Sequence, residues 1–536
     1  MADNTRGRAG RRLPRWATVA GFLVLAACGC SVAPTPVING FPAGPGANGS
    51  AVAGPGQGAA PGAANAPAAI AAPAAAAGRQ LTYASLGRHA LATLEGEYYN
   101  GAGEWNWCVP ARCGSGNRDW GVDSLTYVLY LHWLLTGDRT VAPIMNALVA
   151  TSPDSHSGVS DVPLWDSIAA AREYQVTGNP LALRKAESDF GSVAGNAQLY
   201  GSGACPGIFY QHENGGSTQL KTLESDANYI KAAVLLYQIT HQRSYLTQAE
   251  DHYLAVRQYY LDPGTSLYTV YVFDNGISCT QVPAQYYGSV NGTMIWDGYT
   301  LAQITGQSSY LAEASATAQA VAADLGDGTG VYADLQAEND VGEPLIEAMY
   351  LLAAHGQSFA RRWLLDAASA SAGDVTARTG AYGRFFDGPP QPAPVTAWQV
   401  NGGLALAQVA AALDPGGRPA DPRFWAGAPF VPDNLAMTSS PVSFSFTGRA
   451  VAIIGTIGED CCSDGHAQVF MDGTQTFDQT GIWQNKSSSG VSLPGSVLFA
   501  WRWPTAGRHT IEIDPAVPNA KQGTSFFHMT GYYVVR

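Results

Sequence analysis

Acidic residues in this chain gather at the starts of predicted helices. A carboxylate at such a position can serve as a nucleophile, an acid or a base when its surroundings perturb its pKa. It can equally cap the free N–H groups of the helix and complement the helix dipole. Both interpretations stay open for the whole set, which comprises Asp119, Asp123, Asp161, Glu224, Asp226 and Asp297.

Tryptophans stand beside several of these acids. An indole ring can stack on the face of a sugar or can simply fill the core. If the acids are catalytic, we expect the adjacent Trp120, Trp165 and Trp296 to contact the substrate, with core packing as the alternative. Trp105 and Trp107 belong to the same aromatic region.

The first 27 residues have the composition of a bacterial export signal. Arginines crowd the start, and the apolar run Trp16 to Leu25 is too short for a typical membrane span. The run ends in Leu25-Ala-Ala-Cys28, which resembles a lipoprotein signal in which Cys28 becomes the lipidated first residue. An ordinary cleaved signal is the alternative. We predict a membrane anchor at Cys28 and a flexible tether over residues 28–79, which are rich in Ala, Pro and Gly.

Charge argues against a nucleic-acid partner. The printed chain carries a net charge of −13; processing before Cys28 removes five arginines and one aspartate, a net +4, and leaves −17. Phosphate binding requires a basic face, which such a chain is not expected to present.

Cysteine spacing predicts disulfides rather than a metal site. Exported chains meet oxidising conditions, in which cysteines pair. Cys108 and Cys113 are spaced for a local staple, and Cys205 and Cys279 form a second candidate pair. A metal site at the first pair would need further ligands nearby, and none is evident. The adjacent Cys461 and Cys462 cannot be assigned a partner, and neither a metal nor another cofactor is predicted.

The elements that must position these side chains are helical hairpins. An apolar run ending in Thr-Gly or Thr-His recurs, and later copies continue as Tyr-Leu-x-x-Ala. Gly past a helix end supplies a left-handed C-cap, and hairpins of this kind must stack or close into a ring to bury their faces. Eleven helices are evident and a twelfth is weakly marked within 144–151, which makes six hairpins. The eleven are Leu81–Leu94, Trp120–Leu135, Leu164–Val176, Leu181–Ser192, Ala227–Ile239, Tyr245–Tyr260, Thr293–Ile304, Tyr310–Leu325, Pro344–Ala354, Phe359–Ala370 and Ala397–Leu413.

The last part of the chain has a different texture. Apolar and polar residues alternate in short runs between Gly and Asp-Gly turns, such as Asp472-Gly473. We therefore predict a mainly α domain over residues 80–415, a toroid of six helical hairpins, followed by an all-β sandwich over residues 416–536.

The helical region resembles glycoside hydrolase family 76, whose members are α-1,6-mannanases with an (α/α)6 fold. The resemblance spans residues 95–413 and depends on the order of several short motifs. They are Asp161-x-x-x-Trp165, Cys205-Pro-Gly-Ile-Phe209, Lys221 before a helix, Asn291-Gly-Thr-Met-Ile295, and Arg378-Thr-Gly-Ala-Tyr-Gly ahead of Phe385-Phe386. The resemblance implies hydrolysis of an α-linked, mannan-like polysaccharide.

In that family two consecutive aspartates perform retaining chemistry, which needs their carboxyls about 5–5.5 Å apart. The matching positions here are Asp161 and Val162, so the first acid is kept and the second is absent. Asp166 is no simple substitute, because five residues along a helix correspond to about 140° around it. Asp226 and Asp123 are the candidates for the second acid, and Glu224 replaces part of an amide-rich family segment.

The C-terminal region resembles galactose-binding-like modules through the stretches 444–455, 465–473 and 507–513. Trp483, Trp501 and Trp503 are candidate sugar platforms there, and a purely structural module is equally open.

Two other hypotheses accompany the glycosidase hypothesis. A chain that lost the second acid could act as a glycan-binding or cell-envelope scaffold protein. An (α/α)6 epimerase or lyase would need catalytic histidines on inner helices, for which His132 and His212 are the few candidates.

Overall fold

The computed structural model describes residues 81–110, 113–117, 120–152, 160–200, 203–216, 219–282, 286–333, 342–391, 394–437, 441–457, 466–475, 482–483, 493–517 and 527–536. The predicted signal, tether and Cys28 lie outside these residues, as do Asp119, Cys461 and Cys462. None of the described helices combines the length and apolar character needed to cross a bilayer.

Twelve helices of ten or more residues occur in the described ranges, and we number them in chain order. They are α1 Tyr83–Thr93, α2 Trp120–Thr136, α3 Ala142–Thr151, α4 Asp161–Thr177, α5 Pro180–Ala194, α6 Leu223–Thr240, α7 Arg243–Tyr260, α8 Gly288–Thr305, α9 Ser308–Asp324, α10 Gly342–Ala354, α11 Ser358–Ser371 and α12 Ala397–Leu413. The weakly marked twelfth helix is thus α3, and a π-helical turn, Leu94–Tyr98, extends α1.

The even-numbered helices form a closed inner ring. Each packs against the next, from α2 through α4, α6, α8 and α10 to α12, and α12 returns to α2. The odd-numbered helices pack outside them. The predicted toroid of six hairpins is confirmed.

Burial follows from this two-layer arrangement. The inner helix α6 is buried from Leu223 through Leu236, whereas the outer helix α7 buries one face, which includes Leu246, Ala249 and Tyr253. The recurring Thr-Gly motif ends helices as predicted, because Gly178 and Gly306 cap α4 and α8 with φ of 69° and 74°. His241 takes the same left-handed conformation after α6.

Short strands join the helices at the ends of the ring. They are Trp105–Asn106, Cys108–Val109, Ser115–Gly116, Leu220–Thr222, Leu261–Asp262, Leu267–Tyr268, Tyr271–Asp274, Cys279–Gln281 and Val395–Thr396. One three-stranded antiparallel sheet consists of Leu220–Thr222, Tyr271–Asp274 and Cys279–Gln281. Its first strand directly precedes α6 in the chain.

The described residues from 430 onward are mainly β-strand, as predicted. Their strands join one antiparallel sheet, and bulges interrupt the register of the two longest strands, Val442–Ile457 and Leu493–Val517. Apolar residues from both halves of these strands, such as Phe446 and Ile453, share one core. The sheet order is Phe430–Met437, Phe527–Val535, Val442–Ile457, Leu493–Val517, His466–Met471 and Thr474–Gln475, with Ile482–Trp483 beside His466–Met471.

Arg502 joins the sheet to the helical ring. Its Nε donates to the carbonyl oxygen of Asp387 at 2.7 Å, and its guanidinium lies 4.0 Å from the centre of the Phe424 ring. The indole N–H of Trp425 donates to the same carbonyl at 2.9 Å. The α and β regions are therefore packed through buried polar and aromatic contacts.

Candidate active site

The starts of α4 and α6 lie side by side in the inner ring. Ser160, which caps α4, contacts Ser225 in the first turn of α6 through their hydroxyl oxygens. The N–H of Ser160 also donates to the carbonyl oxygen of Gln211 at 3.1 Å. Asp161 follows Ser160, and Glu224 precedes Ser225. The contact between the serines therefore brings the backbone at Asp161 near the backbone at Glu224.

Neither acid is a helix cap of the predicted kind. Asp161 is the first residue of α4, which starts three residues earlier than the sequence pattern predicted. At α6 the capping role belongs to Thr222, whose side chain accepts from the N–H of Glu224. Ser160 and Thr222 thus take the cap positions, while Asp161 and Asp226 lie in the first turns, where their charges complement the helix dipoles.

Exposure separates these acids from the others on the inner helices. Asp161 is 5% exposed and Glu224 is 8% exposed. The remaining described acids on inner helices are exposed by 3% or less; they are Asp123, Asp166, Glu173, Asp226, Asp297, Glu343 and Glu347. The two acidic residues with the largest exposed fractions are therefore neighbours of the Ser160–Ser225 contact.

Tyr271 is a third member of this group. It pairs with Thr222 in the short sheet before α6, and its ring lies edge-on to Tyr287, with centroids 6.3 Å apart. Burial raises the pKa of Tyr271, and the charges of Glu224 and Asp161 raise it further, while a hydrogen bond with Tyr287 lowers it. Both carboxylates therefore lie within electrostatic reach of one phenol.

Asp226 faces the other way. One of its oxygens accepts from the N–H of Phe209 at 2.9 Å and contacts Nε2 of His252 at 2.7 Å. The hydroxyl of Tyr260 donates to the other oxygen at 2.7 Å. His252 and Tyr260 belong to the outer helix α7, so these contacts give the predicted second acid a structural role between two layers.

Asp123, the other predicted second acid, lies deeper in the ring. Burial raises the pKa of Tyr127, and the charges of Asp123 and Asp166 are among those that raise it further. The hydroxyl of Tyr127 donates to the carbonyl oxygen of Trp165 at 2.8 Å. The charges of Asp123 on α2 and Asp166 on α4 therefore both act on one buried phenol, and the two helices pack together.

The predicted substrate-binding tryptophans are core residues where their side chains are described. Trp165 is 5% exposed and stacks on Tyr127. Trp296 is 4% exposed and donates its indole N–H to Glu347 at 3.1 Å. The core alternative fits both, and their contact with a substrate stays a prediction. Trp120 opens α2, but its side chain lies outside the described set.

A cluster of buried charges fills the middle of the ring. Arg172 from α4 pairs with Glu343 and Glu347 of α10, and Lys231 from α6 lies 3.3 Å from Glu347. We call these four residues the central ion cluster. Burial raises the pKa of Glu343 to about 7, while the charges of Arg172 and Lys231 keep the pKa of Glu347 low despite its burial.

Both predicted disulfides are present. Cys108–Cys113 and Cys205–Cys279 each join Cα atoms 5.4 Å apart. The second bond ties the loop before α6 to the strand Cys279–Gln281, which pairs with the strand that carries Tyr271. In the described ranges, no three or more His, Cys, Asp or Glu side chains are grouped to hold a metal ion.

The histidines proposed for the epimerase alternative do not join the acids. His132 lies late in α2 beside Asp138, with 3.6 Å between its Nε2 and a carboxylate oxygen. His212 precedes a short 3-10 turn in the loop before α6, and burial lowers its pKa.

The fold is similar to that of several solved proteins. An α-1,6-mannanase from a Salegentibacter species, solved as an inactive variant with two consecutive aspartates replaced by asparagine and in complex with α-1,6-mannotriose, matches with a TM-score of 0.52 and 19% identity over 62% of this chain and 100% of its own. A family 76 α-mannanase from Bacteroides thetaiotaomicron matches with a TM-score of 0.52 and 17% identity over 62% of this chain and 97% of its own. A Listeria innocua protein matches with a TM-score of 0.53 and 16% identity over 63% of this chain and 99% of its own.

These comparisons confirm the predicted family-76-like (α/α)6 fold, and a shared fold does not by itself assign an activity. No protein-family model matches the chain. No curated protein sequence matches it either.

Sequence reasoning missed two parts of the site. Tyr271 was not singled out, although its Tyr-Val-Phe run consists of residues that favour strands. The sequence favoured Asp226 over Glu224 as the second acid, because nothing in it shows which of two acids in one helical turn faces α7.

Proposed function

We propose that this protein is a glycoside hydrolase that cleaves an α-linked, mannan-like polysaccharide, with Asp161 as its nucleophile. The observation that carries the proposal is the position of Asp161. It opens the inner helix α4, where 5% of its surface remains exposed, and by sequence resemblance it matches the first of two catalytic aspartates in family 76. The fold likeness to α-1,6-mannanases supports the same class of substrate.

The chemistry of a retaining glycosidase fits a carboxylate in this position. Asp161 attacks the anomeric carbon while the glycosidic C–O bond breaks, and a glycosyl–enzyme ester forms. Water then attacks the same carbon, and the ester bond to Asp161 breaks. The helix start at which Asp161 lies stabilises its negative charge in the resting enzyme.

The test is hydrolysis of α-1,6-mannotetraose and α-1,6-mannan by the purified protein. We expect Asp161→Asn to lower kcat by on the order of 10³-fold or more, because a nucleophilic carboxylate is lost. Glu250→Gln, which changes a half-buried acid on the outer helix α7, is the matched control and should keep wild-type activity. Equal turnover by Asp161→Asn and wild type would refute the role of Asp161.

Val162 favours one second candidate function. Valine cannot donate or accept a proton, so a chain that lost its pair could bind glycans as an envelope scaffold. Glycan binding by wild type, measured by calorimetry, together with no hydrolysis of any α-mannan, would establish this function instead.

We further propose that the protein is exported and anchored by a lipid on Cys28. The Leu25-Ala-Ala-Cys28 ending of the apolar run supports the proposal. Cys28→Ser should release the protein from the membrane fraction or block its processing. Unchanged membrane association of that variant would exclude the anchor.

A further inference from the structure

The proposed hydrolase lacks a second catalytic acid next to Asp161. Val162 follows Asp161 on α4 and is half-buried, and its side chain cannot take part in proton transfer. A retaining mechanism needs a group that protonates the leaving oxygen and then deprotonates water. Among the described residues, we therefore look for that group on the helix that packs against the start of α4.

The packing of α4 against α6 determines which residue can approach. Ser160 and Ser225 contact each other through their hydroxyl oxygens, so the first turns of the two helices meet there. Asp161 and Glu224 are the chain neighbours of these two serines. Asp226 also adjoins Ser225 in the chain, so its contacts must be compared with those of Glu224.

Asp226, the other acid on this turn of α6, points away from Asp161 toward the outer helix α7. Both of its oxygens contact groups that hold α6 to the outer layer, including His252 at 2.7 Å and Tyr260 at 2.7 Å. It is fully buried, whereas Glu224 keeps 8% of its surface exposed. A group that exchanges protons with a polysaccharide and with water must be reached by both, and Glu224 meets this requirement better.

Tyr271 supplies independent evidence that the two carboxylates share one site. It pairs with Thr222, two residues before Glu224, and the charges of Glu224 and Asp161 both act on its phenol. The disulfide Cys205–Cys279 and the strand Cys279–Gln281 hold the Tyr271 strand in place. The site thus combines residues of α4, α6 and the short sheet.

We propose that Glu224 is the catalytic acid and base of this enzyme and takes the role that Val162 cannot fill. The inference rests on the proposed function and deepens it. In the first step the protonated Glu224 gives its proton to the glycosidic oxygen as the C–O bond breaks and Asp161 bonds to the anomeric carbon. In the second step Glu224 takes a proton from water as the water oxygen bonds to that carbon and the ester to Asp161 breaks. Glu224 ends protonated, as it began.

Leaving-group dependence distinguishes this role from a structural one. We expect Glu224→Gln to lower kcat on α-1,6-mannotetraose by on the order of 10²- to 10⁴-fold, the usual effect of losing an acid or base. A dinitrophenyl α-1,6-mannobioside needs no protonation of its leaving group, so the variant should still release dinitrophenol in a burst. Azide is already an anion, so it can attack the glycosyl–enzyme ester without a base. It should accelerate the variant at least about tenfold, leave wild type unaffected, and give the α-glycosyl azide.

The controls separate the failure of this inference from the failure of the proposed function. If wild type hydrolyses the glycan, Asp161→Asn abolishes turnover and Glu224→Gln matches wild type, the role of Glu224 is wrong and the hydrolase proposal stands. Low activity of Glu224→Gln without a burst or azide acceleration also overturns the role. If wild type hydrolyses nothing, both proposals fall.

A second variant distinguishes the loss of a carboxyl group from the loss of the fold. Glu224→Asp keeps a carboxyl group on a shorter side chain, and circular dichroism checks the fold of both variants. Partial activity of Glu224→Asp above that of Glu224→Gln supports proton transfer. Equal loss of activity in two folded variants contradicts it.

Discussion

The guanidinium of Arg172 pairs with the carboxylate of Glu347 across the inner ring, joining α4 to the helix on the opposite side. The same carboxylate accepts from Lys231 of α6 at 3.3 Å and from the indole of Trp296 on α8 at 3.1 Å. Four of the six inner helices therefore meet at Glu347. This contact fills the middle of the ring, so the glycan of the proposed hydrolase is expected at the ring mouth, where Asp161 opens α4.

Removing the cation of this pair should destabilise the protein strongly. Arg172→Met leaves Glu343 and Glu347 with Lys231 as their remaining cation, in a place where the charges are at most 2% exposed. Breaking a buried pair commonly costs about 3–5 kcal/mol. Chemical denaturation should show that loss in the free energy of unfolding.

Arg257→Met is the matched control for that measurement. Arg257 pairs with Glu313 at 2.9 Å, but its side chain is 50% exposed. Exposed pairs contribute about 0–1 kcal/mol because solvent screens them. Similar losses in the two variants would show that burial of the central ion cluster has no special energetic weight.

The pKa of Glu343 predicts how stability changes with pH. Burial raises this pKa from 4.5 to about 7, and the charge of Glu347 raises it further, while the charges of Arg172 and Lys231 lower it. The folded-state value lies above the unfolded one, so the contribution of Glu343 to stability is fully present below pH 4.5 and is lost as pH rises through 7. Glu343→Gln removes this titration.

Thermal unfolding of wild type and Glu343→Gln at pH 5 and pH 8 measures the effect. We expect the variant to gain stability relative to wild type at pH 8 compared with pH 5. Titrations shared by the two proteins cancel in the difference. A stability difference that stays constant between the two pH values would contradict the raised pKa.

The two disulfides should differ in their contribution to stability. Cys205–Cys279 closes a sequence separation of 74 residues, and Cys108–Cys113 closes one of 5. Loop-closure entropy gives about 4 kcal/mol for the longer loop and about 2 kcal/mol for the shorter one. The double variant Cys205→Ser/Cys279→Ser should therefore unfold at lower denaturant than Cys108→Ser/Cys113→Ser. The reverse order would mean that native-state contacts outweigh chain entropy here.

The sequence predicted the fold well because its signals are local. The Thr-Gly motif supplies a glycine for the left-handed position at a helix end, and Gly178 and Gly306 adopt that conformation. Spacing within helices then identified the hairpins, and six hairpins close into a ring.

Long-range pairings limited the prediction of the site. Arg172 and Glu347 are 175 residues apart in the chain, so no helical periodicity links them. Asp226 resembled a helix cap, and its role depends on His252 of another helix. Trp296 resembled a sugar platform because the sequence does not reveal that Glu347 accepts from its indole.

Restoring the missing aspartate supplies the last prediction. Val162 is half-buried beside Asp161, so an aspartate there can keep its carboxylate in contact with water and should cost little stability. In a Glu224→Gln background, Val162→Asp recreates the consecutive pair that the family resemblance implies. It should raise kcat on α-1,6-mannotetraose by about tenfold or more over Glu224→Gln alone, since it supplies an acid near the leaving oxygen. In an Asp161→Asn background the same change should restore nothing, because the nucleophile is absent. A folded Glu224→Gln/Val162→Asp protein with no gain would show that the start of α4 cannot hold an acid in reach of the glycosidic oxygen.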